Sequence, residues 1–185
     1  MLFEATRIPD VVIISPKKLG DTRGYFMETF RQSLFVERVG PFEFVQDNQS
    51  LSVEVGTVRG LHFQLGPKAQ GKLVRCIAGA LLDVGVDIRR GSPTFGKHVA
   101  AELTAENGKQ LWLPPGFAHG FCTLAPNTEI SYKVTDYYSA EHDRGLLWND
   151  PALAIEWPLA GRYPVLSEKD KRQPTLADHA ELFAY

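Results

Sequence analysis

The sequence predicts a single all-β domain, folded as an antiparallel barrel or sandwich. Between residues 57 and 135, short runs of strand-forming residues follow one another, and Gly, Pro or Asn separates most of them. Such spacing is typical of antiparallel β-structure, whereas a βαβ fold needs long helices between its strands. No amphipathic helix of three or more turns precedes the tail. A chain of 185 residues fits one domain, so we expect one unit over residues 1–185, with a barrel core at about 45–140.

The segment before the barrel carries several local signals. Residues 11–14 are β-branched and precede a Ser-Pro pair, which predicts a short strand and its end. Residues 21–30 predict a turn and a strand with one wet face, and residues 31–39 predict one or two helical turns before a Gly-Pro pair. Residues 44–52 form a polar run in a strand-like context. This run fits either a solvated loop or a strand that faces a ligand.

Turn residues divide the rest of the chain into further short elements. The predicted barrel strands are residues 73–77, 80–88, 97–103, 110–113, 121–124 and 129–135. After the barrel, residues 167–172 form a short, charged segment, and residues 176–183 predict a small helix or an ordered tail.

The composition limits the classes of function. The 20 basic and 22 acidic residues give a formal net charge of −2, so we expect no nucleic-acid partner. The sequence has no apolar run of about eighteen residues and no leader-like start, which predicts no membrane association and a cytoplasmic protein. Cys76 and Cys122 are too few for a disulfide framework, and we expect both to be buried, inert thiols.

Two histidines stand in glycine-rich surroundings that resemble the two motifs of the cupin superfamily. The pattern G-x5-P-x-G-x2-H that ends at His119 matches the second motif, and G-x5-H ending at His62 matches the start of the first. The resemblance implies a cupin-type antiparallel jelly-roll barrel with short helical and extended terminal segments. Metal-binding cupins continue the first motif as His-x-His, but Gln64 occupies that position here. A metal needs about three or four converging ligands, so we expect no metal.

The residues grouped with His62 indicate acid–base chemistry. Arg59 precedes it by three residues, Lys72 follows a glycine farther along, and Tyr132 lies in a later strand. A histidine base, a hydroxyl acid and fixed cations suit removal of a proton next to a carbonyl, because negative charge then collects on an enolate oxygen. A lone histidine is more often structural, and it is the grouping that favours a general base. A carboxylate partner would orient the ring.

Short blocks along nearly the whole chain resemble the dTDP-4-dehydrorhamnose 3,5-epimerase family, metal-free cupins that act on a sugar nucleotide. The blocks stand in the family's order. They are Asp21-x-Arg23-Gly24-x-Phe26-x-Glu28, Gln46-Asp47-Asn48, residues 58–64, 71–75, 87–94 and 115–121, Tyr132-Lys133, and residues 148–151 and 166–170. Their number and order make the resemblance specific.

The resemblance implies a role for each matching residue. His62 would be the base, Asp170 its carboxylate partner, Tyr132 the general acid and Lys72 the cation that stabilises the enolate. Asp143 stands where the family usually has a glutamate, so its role stays open. The implied substrate-binding residues are Arg23, Phe26, Glu28, Gln46, Asn48, Arg59, His119, Tyr138, Asp143 and Lys169.

The resemblance also implies a dTDP-sugar partner, no cofactor, and a homodimer whose subunits exchange N-terminal strands. The expected reaction is epimerisation of dTDP-4-dehydro-6-deoxy-D-glucose at C3 and C5 to give dTDP-4-dehydro-L-rhamnose. One alternative is an epimerase that acts at C3 or C5 only, and another is a non-catalytic cupin that binds a sugar nucleotide. A metal-dependent cupin oxygenase is disfavoured by Gln64. Arg23 and Glu28 could instead form a surface ion pair, and Lys169 could simply solvate the tail.

Overall fold

The structure is a computed structural model that describes residues 1–185. Its single α-helix is α1 (Gln32–Arg38), and Asp170–Arg172 form a short 3-10 helix. The strands are β1 (Leu2–Ala5), β2 (Val12–Ser15), β3 (Lys18–Asp21), β4 (Gly24–Met27), β5 (Gln46–Ser52), β6 (Val58–Gln64), β7 (Lys72–Ala78), β8 (Ala80–Asp87), β9 (Arg89–Arg90), β10 (His98–Thr104), β11 (Gln110–Leu113), β12 (Phe117–Thr123), β13 (Thr128–Val134), β14 (Asp143–Gly145) and β15 (Phe183–Ala184).

Two antiparallel sheets form the body of the protein. The six-stranded sheet has the order β1-β2-β11-β7-β13-β5, and the five-stranded sheet has the order β10-β8-β12-β6-β14. Neighbours in each sheet are mostly distant in sequence, as in a jelly roll. The all-β prediction is confirmed, and the polar run at residues 44–52 is the edge strand β5. Strand β12 begins earlier than predicted, because the residues after the Pro-Gly turn already pair with β8.

The core lies between the two sheets. Successive side chains of a strand point to opposite faces, and the inward positions of both sheets contribute to one buried cluster. The six-stranded sheet supplies Val74 and Ile130, and the five-stranded sheet supplies Leu81 and Phe121. The two sheets therefore pack face to face around a shared apolar interior.

Helix α1 covers the outer face of the six-stranded sheet. Its Phe35 is buried against Trp112, with ring centroids 5.0 Å apart at an angle of 82°. Full burial of a phenylalanine contributes about 1.5–3 kcal/mol, so this contact compensates for the short length of the helix. The helix ends just before Gly40, which has a φ of +145°, as the Gly-Pro pair predicts.

The segment after the barrel covers the outer face of the five-stranded sheet. Its Leu146, Leu153 and Leu176 are buried against outward positions such as Leu61 and Val84. Residues 176–183 form turns that lead into β15, which pairs in parallel with β9. The tail is therefore ordered but not helical. Its course also carries residues 163–172 across β6.

An N-terminal hairpin stands apart from both sheets. Strands β3 and β4 pair only with each other. Leu19, Tyr25 and Phe26 of this hairpin are 54%, 59% and 70% exposed. Leu19 and Phe26 are cross-strand partners, and exposed apolar side chains grouped in this way mark contact surfaces.

The remaining sequence-level expectations concern the cysteines and the helices. Both cysteines are buried and unpaired, as expected. Burial raises the pKa of the Cys122 thiol to about 11, which keeps it protonated and unreactive. No helix in the chain has the length and apolar character needed to cross a bilayer.

Candidate active site

Two adjoining cavities lie between the sheets. Their volumes are about 410 Å³ and about 190 Å³, and His62, Lys72, Tyr132 and Lys169 line both. His62 comes from the five-stranded sheet, whereas Lys72 and Tyr132 come from the six-stranded sheet. The fold thus brings three of these side chains together from both walls of the barrel, and Lys169 comes from the segment after the barrel.

A β-bulge in β6 sets the direction of two of these side chains. His62 pairs with His119 and Arg59 pairs with Phe121, so β6 contains one more residue than β12 between the two pairs. In a regular strand, residues three apart face opposite sides, but the extra residue lets Arg59 and His62 line the same cavity. Gly60 makes this possible, because a Cβ there would lie 2.5 Å from the Gly120 Cα.

His62 is held by a buried carboxylate. Its Nε2 lies 2.6 Å from Oδ1 of Asp170, and the two side chains are 33% and 3% exposed. Burial works to raise the pKa of the Asp170 carboxyl, but the hydrogen bond and charge interaction with His62, helped by Ser167 and the Gly60 backbone, lower it overall. A charged Asp170 accepts a hydrogen bond from the Nε2–H of His62. Nδ1 of the ring then has no partner in the chain. That nitrogen can take up a proton.

Lys72 is the buried cation of the site. Its Nζ donates to the backbone oxygen of His62 at 3.2 Å. Burial lowers the pKa of Lys72 to about 8, although Asp143 and Asp83 oppose the shift and Lys169 adds to it. Lys72 therefore remains mainly charged at neutral pH, with a hydration shell largely replaced by protein. Such a cation interacts strongly with negative charge that forms beside it.

Tyr132 faces the cavity from β13. Burial raises the pKa of its phenol, while the nearby Arg59 partly offsets that effect. The hydroxyl therefore holds its proton at neutral pH, and Arg59 can stabilise the phenolate formed when the proton is given up. The phenol makes no hydrogen bond within the chain and is free to meet a ligand.

A second histidine–aspartate pair stands beside the first. His119 Nε2 lies 2.7 Å from Oδ1 of Asp83, and both residues are buried. His119 lines the larger cavity, and Asp83 lies behind it on the adjacent strand β8. The sequence reasoning missed Asp83. The sequence did contain a sign of its role, because an acidic residue stands at an inward position of a barrel strand, where apolar residues are the rule.

Polar side chains from several segments form the rim. Lys169 Nζ donates to Oδ2 of Asp143, and the Tyr138 hydroxyl donates to the same oxygen at 3.4 Å. Gln46 and Asn48 of β5 line the smaller cavity with these residues. Residues 44–52 thus include a strand that faces a cavity, as one of the two interpretations of that run expected.

Three predicted binding residues lie away from both cavities. Arg23 pairs with Asp21 and Glu28 pairs with Arg31, each as an exposed ion pair. Phe26 is exposed on the same hairpin. The alternative interpretation was that Arg23 and Glu28 form an ion pair with each other at the surface. In the structure each is in a surface ion pair, but with a different residue. A single chain does not bring this group to His62.

Gln64, at the position of the second metal-ligand histidine, anchors two loops. Its Nε2 donates to the backbone oxygens of Lys68 and Tyr137 at 2.6 and 3.2 Å, and its Oε1 accepts from the Ser139 amide at 2.8 Å. No group of three or more His, Cys, Asp or Glu side chains converges in the chain. The expectation of a metal-free site stays a prediction.

Proton-transfer groups thus face one cavity from both sheets, and this arrangement defines the chain as a cupin-type acid–base enzyme. Comparison with known proteins narrows the class. The family model described as dTDP-4-dehydrorhamnose 3,5-epimerase matches residues 5–178. The chain belongs to the dTDP-4-dehydrorhamnose 3,5-epimerase family.

Individual relatives agree with this assignment. A dTDP-4-dehydrorhamnose 3,5-epimerase of Sinorhizobium fredii is 60% identical over 185 residues, which cover 100% of this chain and 94% of the relative. A crystal structure of the Legionella pneumophila dTDP-6-deoxy-D-glucose-3,5-epimerase, in complex with dTDP-4-keto-L-rhamnose, superposes with a TM-score of 0.95. The identity is 45%, covering 100% of this chain and 98% of that one. A dTDP-4-dehydrorhamnose 3-epimerase of Streptomyces niveus is 37% identical, covering 89% of this chain and 79% of the relative.

Proposed function

We propose that the chain epimerises dTDP-4-dehydro-6-deoxy-D-glucose at C3 and C5 to give dTDP-4-dehydro-L-rhamnose. One observation carries the proposal: a histidine backed by Asp170 and a tyrosine with a raised pKa line one cavity from opposing sheets. A sugar held between them would present one face to His62 and the other to Tyr132. Removal of a proton from one face and its return to the other inverts the carbon.

The first half of the reaction is the removal of a proton next to the C4 ketone. Nδ1 of His62 takes the proton, and the electron pair of the C–H bond moves to the C4 oxygen. Lys72, whose ammonium group is buried beside His62, stabilises the resulting enolate. Stabilisation of this kind is typically the largest electrostatic contribution to such a reaction.

The second half is the return of a proton to the opposite face. Tyr132 donates its phenolic proton to the carbon, the enolate electrons return to the carbon, and Arg59 stabilises the phenolate. Bulk water then restores both groups. No step changes an oxidation state, so the proposal needs no redox cofactor.

We assign substrate binding to the cations and rim residues around the cavity. Arg59 and Lys169 are suited to the diphosphate, because their side chains donate several hydrogen bonds to phosphate oxygens. His119 lies beside the sugar position. Tyr138, which is 61% exposed, can stack on the thymine ring. Gln46, Asn48 and Asp143 supply further polar contacts.

We further propose that a second copy of the chain completes the site. Arg23 and Phe26 lie on the exposed hairpin β3–β4, whose apolar side chains are uncovered in one chain, and Glu28 directly follows it. In a homodimer with exchanged N-terminal segments, the hairpin of one subunit reaches the cavity of the other. A partner of this kind explains why family-matching binding residues lie away from the cavity of their own subunit.

Mixed dimers test this arrangement. Arg23→Ala and His62→Asn chains are each expected to form weakly active homodimers, whereas a mixed dimer contains one site without either substitution. Random mixing should therefore restore about a quarter of the wild-type activity. If mixed samples stay as inactive as the separate variants while forming dimers, Arg23 does not act across the interface.

An epimerase that acts at one carbon only is the second candidate. The relative from Streptomyces niveus carries the name of a 3-epimerase, and Asp143 stands where the family usually has glutamate. A purely binding protein is the weaker alternative, since binding does not require the paired base and acid. Deuterium exchange separates all three.

The test is proton exchange in deuterated water with dTDP-4-dehydro-6-deoxy-D-glucose, followed by nuclear magnetic resonance of the sugar. Deuterium at both C3 and C5 is the expected result, label at one carbon indicates the narrower enzyme, and no label excludes the proposal. Tyr132→Phe should still exchange on the His62 face but lose inversion. Tyr137→Phe is the control, because Tyr137 lies outside both cavities.

We also propose that the protein works in the cytoplasm. The support is its pair of unlinked, buried cysteines, which is usual in a reducing compartment. Cell fractionation with an antibody against the chain tests this directly.

A further inference from the structure

Asp83 is a buried carboxylate of β8 for which the proposed reaction has no role. It is 0% exposed, and only its Oδ1 has a partner, the His119 Nε2 at 2.7 Å. Oδ2 of Asp83 is buried without any hydrogen-bond partner. Burial of a carboxylate that is only partly satisfied costs several kcal/mol, so stability alone does not explain the residue.

The neighbours of Asp83 connect it to the site on two sides. Its hydrogen bond holds His119, which lines the larger cavity and is the cross-strand partner of His62. Its negative charge also acts on Lys72, where it opposes the effect of burial. Asp83 itself lines neither cavity.

The hydrogen bond decides which nitrogen of His119 faces the substrate as an acceptor. When Asp83 accepts a hydrogen bond from Nε2–H, the neutral ring has its lone pair on Nδ1. Nδ1 of His119 makes no hydrogen bond within the chain. This nitrogen is therefore available to accept a hydrogen bond from a sugar hydroxyl.

We propose that Asp83 is a positioning residue, which fixes the tautomer and orientation of His119. The proposal rests on the proposed function. His119 then holds a hydroxyl of the sugar while Lys72 meets the C4 oxygen.

The first test is independent of any substrate. In Asp83→Asn, the amide can donate to Nε2, so the ring of His119 should shift toward the tautomer with its proton on Nδ1. Nitrogen-15 chemical shifts of the His119 ring, measured without ligand, report this change. If the wild-type ring already has its proton on Nδ1, or if Asp83→Asn leaves the tautomer unchanged, the assignment is wrong even when the epimerase proposal holds.

The second test is kinetic. Loss of a partner that orients a metal-ligating histidine typically costs about 10–100-fold, and for Asp83→Asn we expect a loss in kcat of the same order with KM changed little. The alkaline fall in kcat/KM should also move to lower pH, because Lys72 loses a negative neighbour while Asp143 and Lys169 remain. An unchanged kcat together with an unchanged pH profile would overturn the proposal.

Asp87→Asn is the matched control. Asp87 is a buried carboxylate on the same strand, but its partners are Arg89, Ser92 and Thr94, and it lines neither cavity. This variant should lose stability while retaining kcat, the His119 tautomer and the pH profile. If Asp87→Asn reproduces the kinetic loss of Asp83→Asn, the effect is structural and positioning by Asp83 is excluded.

Discussion

The two histidine–aspartate pairs differ in how they are built. His119 and Asp83 are neighbours on adjacent barrel strands and are 8% and 0% exposed. His62 is 33% exposed and takes its aspartate from the covering segment, 108 residues away in sequence. The barrel therefore supplies a closed, fixed pair, and the covering segment completes an open one.

In the proposed reaction, this difference corresponds to two different tasks. A base has to exchange its proton with substrate and water, so partial exposure suits His62. A group that orients the substrate has to stay in place, and burial between two strands achieves this for His119. Substitutions in the open pair, at Lys72 in the same cavity, or at the rim should therefore have graded effects.

The largest effect is expected from the open pair. His62→Asn removes the base, and general-base catalysis contributes about 10²–10⁴-fold, so kcat should fall by that amount. Asp170→Asn leaves the His62 ring in place but weakens its orientation, so the kcat of this variant should fall almost as far. Steady-state rates with the dTDP-sugar measure both. Glu168→Gln is the control, because Glu168 is an exposed residue of the same segment, and a comparable loss there would contradict the role of Asp170.

An intermediate effect is expected from Lys72 as a function of pH. Its pKa of about 8 predicts that kcat/KM falls as the pH rises through 8, because the ammonium group loses its charge. Stability should change in the opposite direction. Between about 8 and 10.5 the unfolded chain binds more protons at this lysine than the folded protein, so its contribution to the free energy of unfolding rises with pH.

Lys72→Arg sharpens this test. Arginine stays charged throughout, so the alkaline fall in kcat/KM attributed to Lys72 should disappear, whatever the absolute rate of the variant. Rate profiles and urea unfolding between pH 7 and 10 supply both measurements. An alkaline limb that persists unchanged in Lys72→Arg would assign it to another group.

The smallest effect is expected at the rim. Asp143 and Lys169 form a partly exposed pair, and such pairs contribute about 0.2–1 kcal/mol. Asp143→Asn should therefore change KM by a few-fold at most and leave kcat almost unchanged. A loss in kcat comparable with that of Asp170→Asn would show that the rim takes part in the chemistry.

The sequence predicted the fold from patterns that are local. Turn residues and alternation defined most barrel strands, and the Gly-Pro pair placed the end of α1. The pairing of His62 with Asp170 came from a family resemblance, because residues so far apart in sequence share no local pattern. Asp83 was missed because a single acidic residue in an apolar strand does not reveal its neighbour across the sheet.

The relation between Arg59 and His62 shows a second limit. Alternation assigns residues three apart to opposite faces, and only the bulge at Gly60 reverses that assignment. A bulge is a property of two paired strands and leaves a weak trace in one of them. The hairpin with Arg23 shows the same limit between chains, since its proposed site lies on another copy.

The path of the covering segment has a consequence for the order in which the protein matures during synthesis. Every barrel strand that carries Lys72, His119 or Tyr132 precedes Asp170 in the chain, and growing chains fold from the N-terminal side. The cavity can therefore take shape on the ribosome before its base has a partner. Until Asp170 is in place, the chain has the strands of its cavity but no partner for His62.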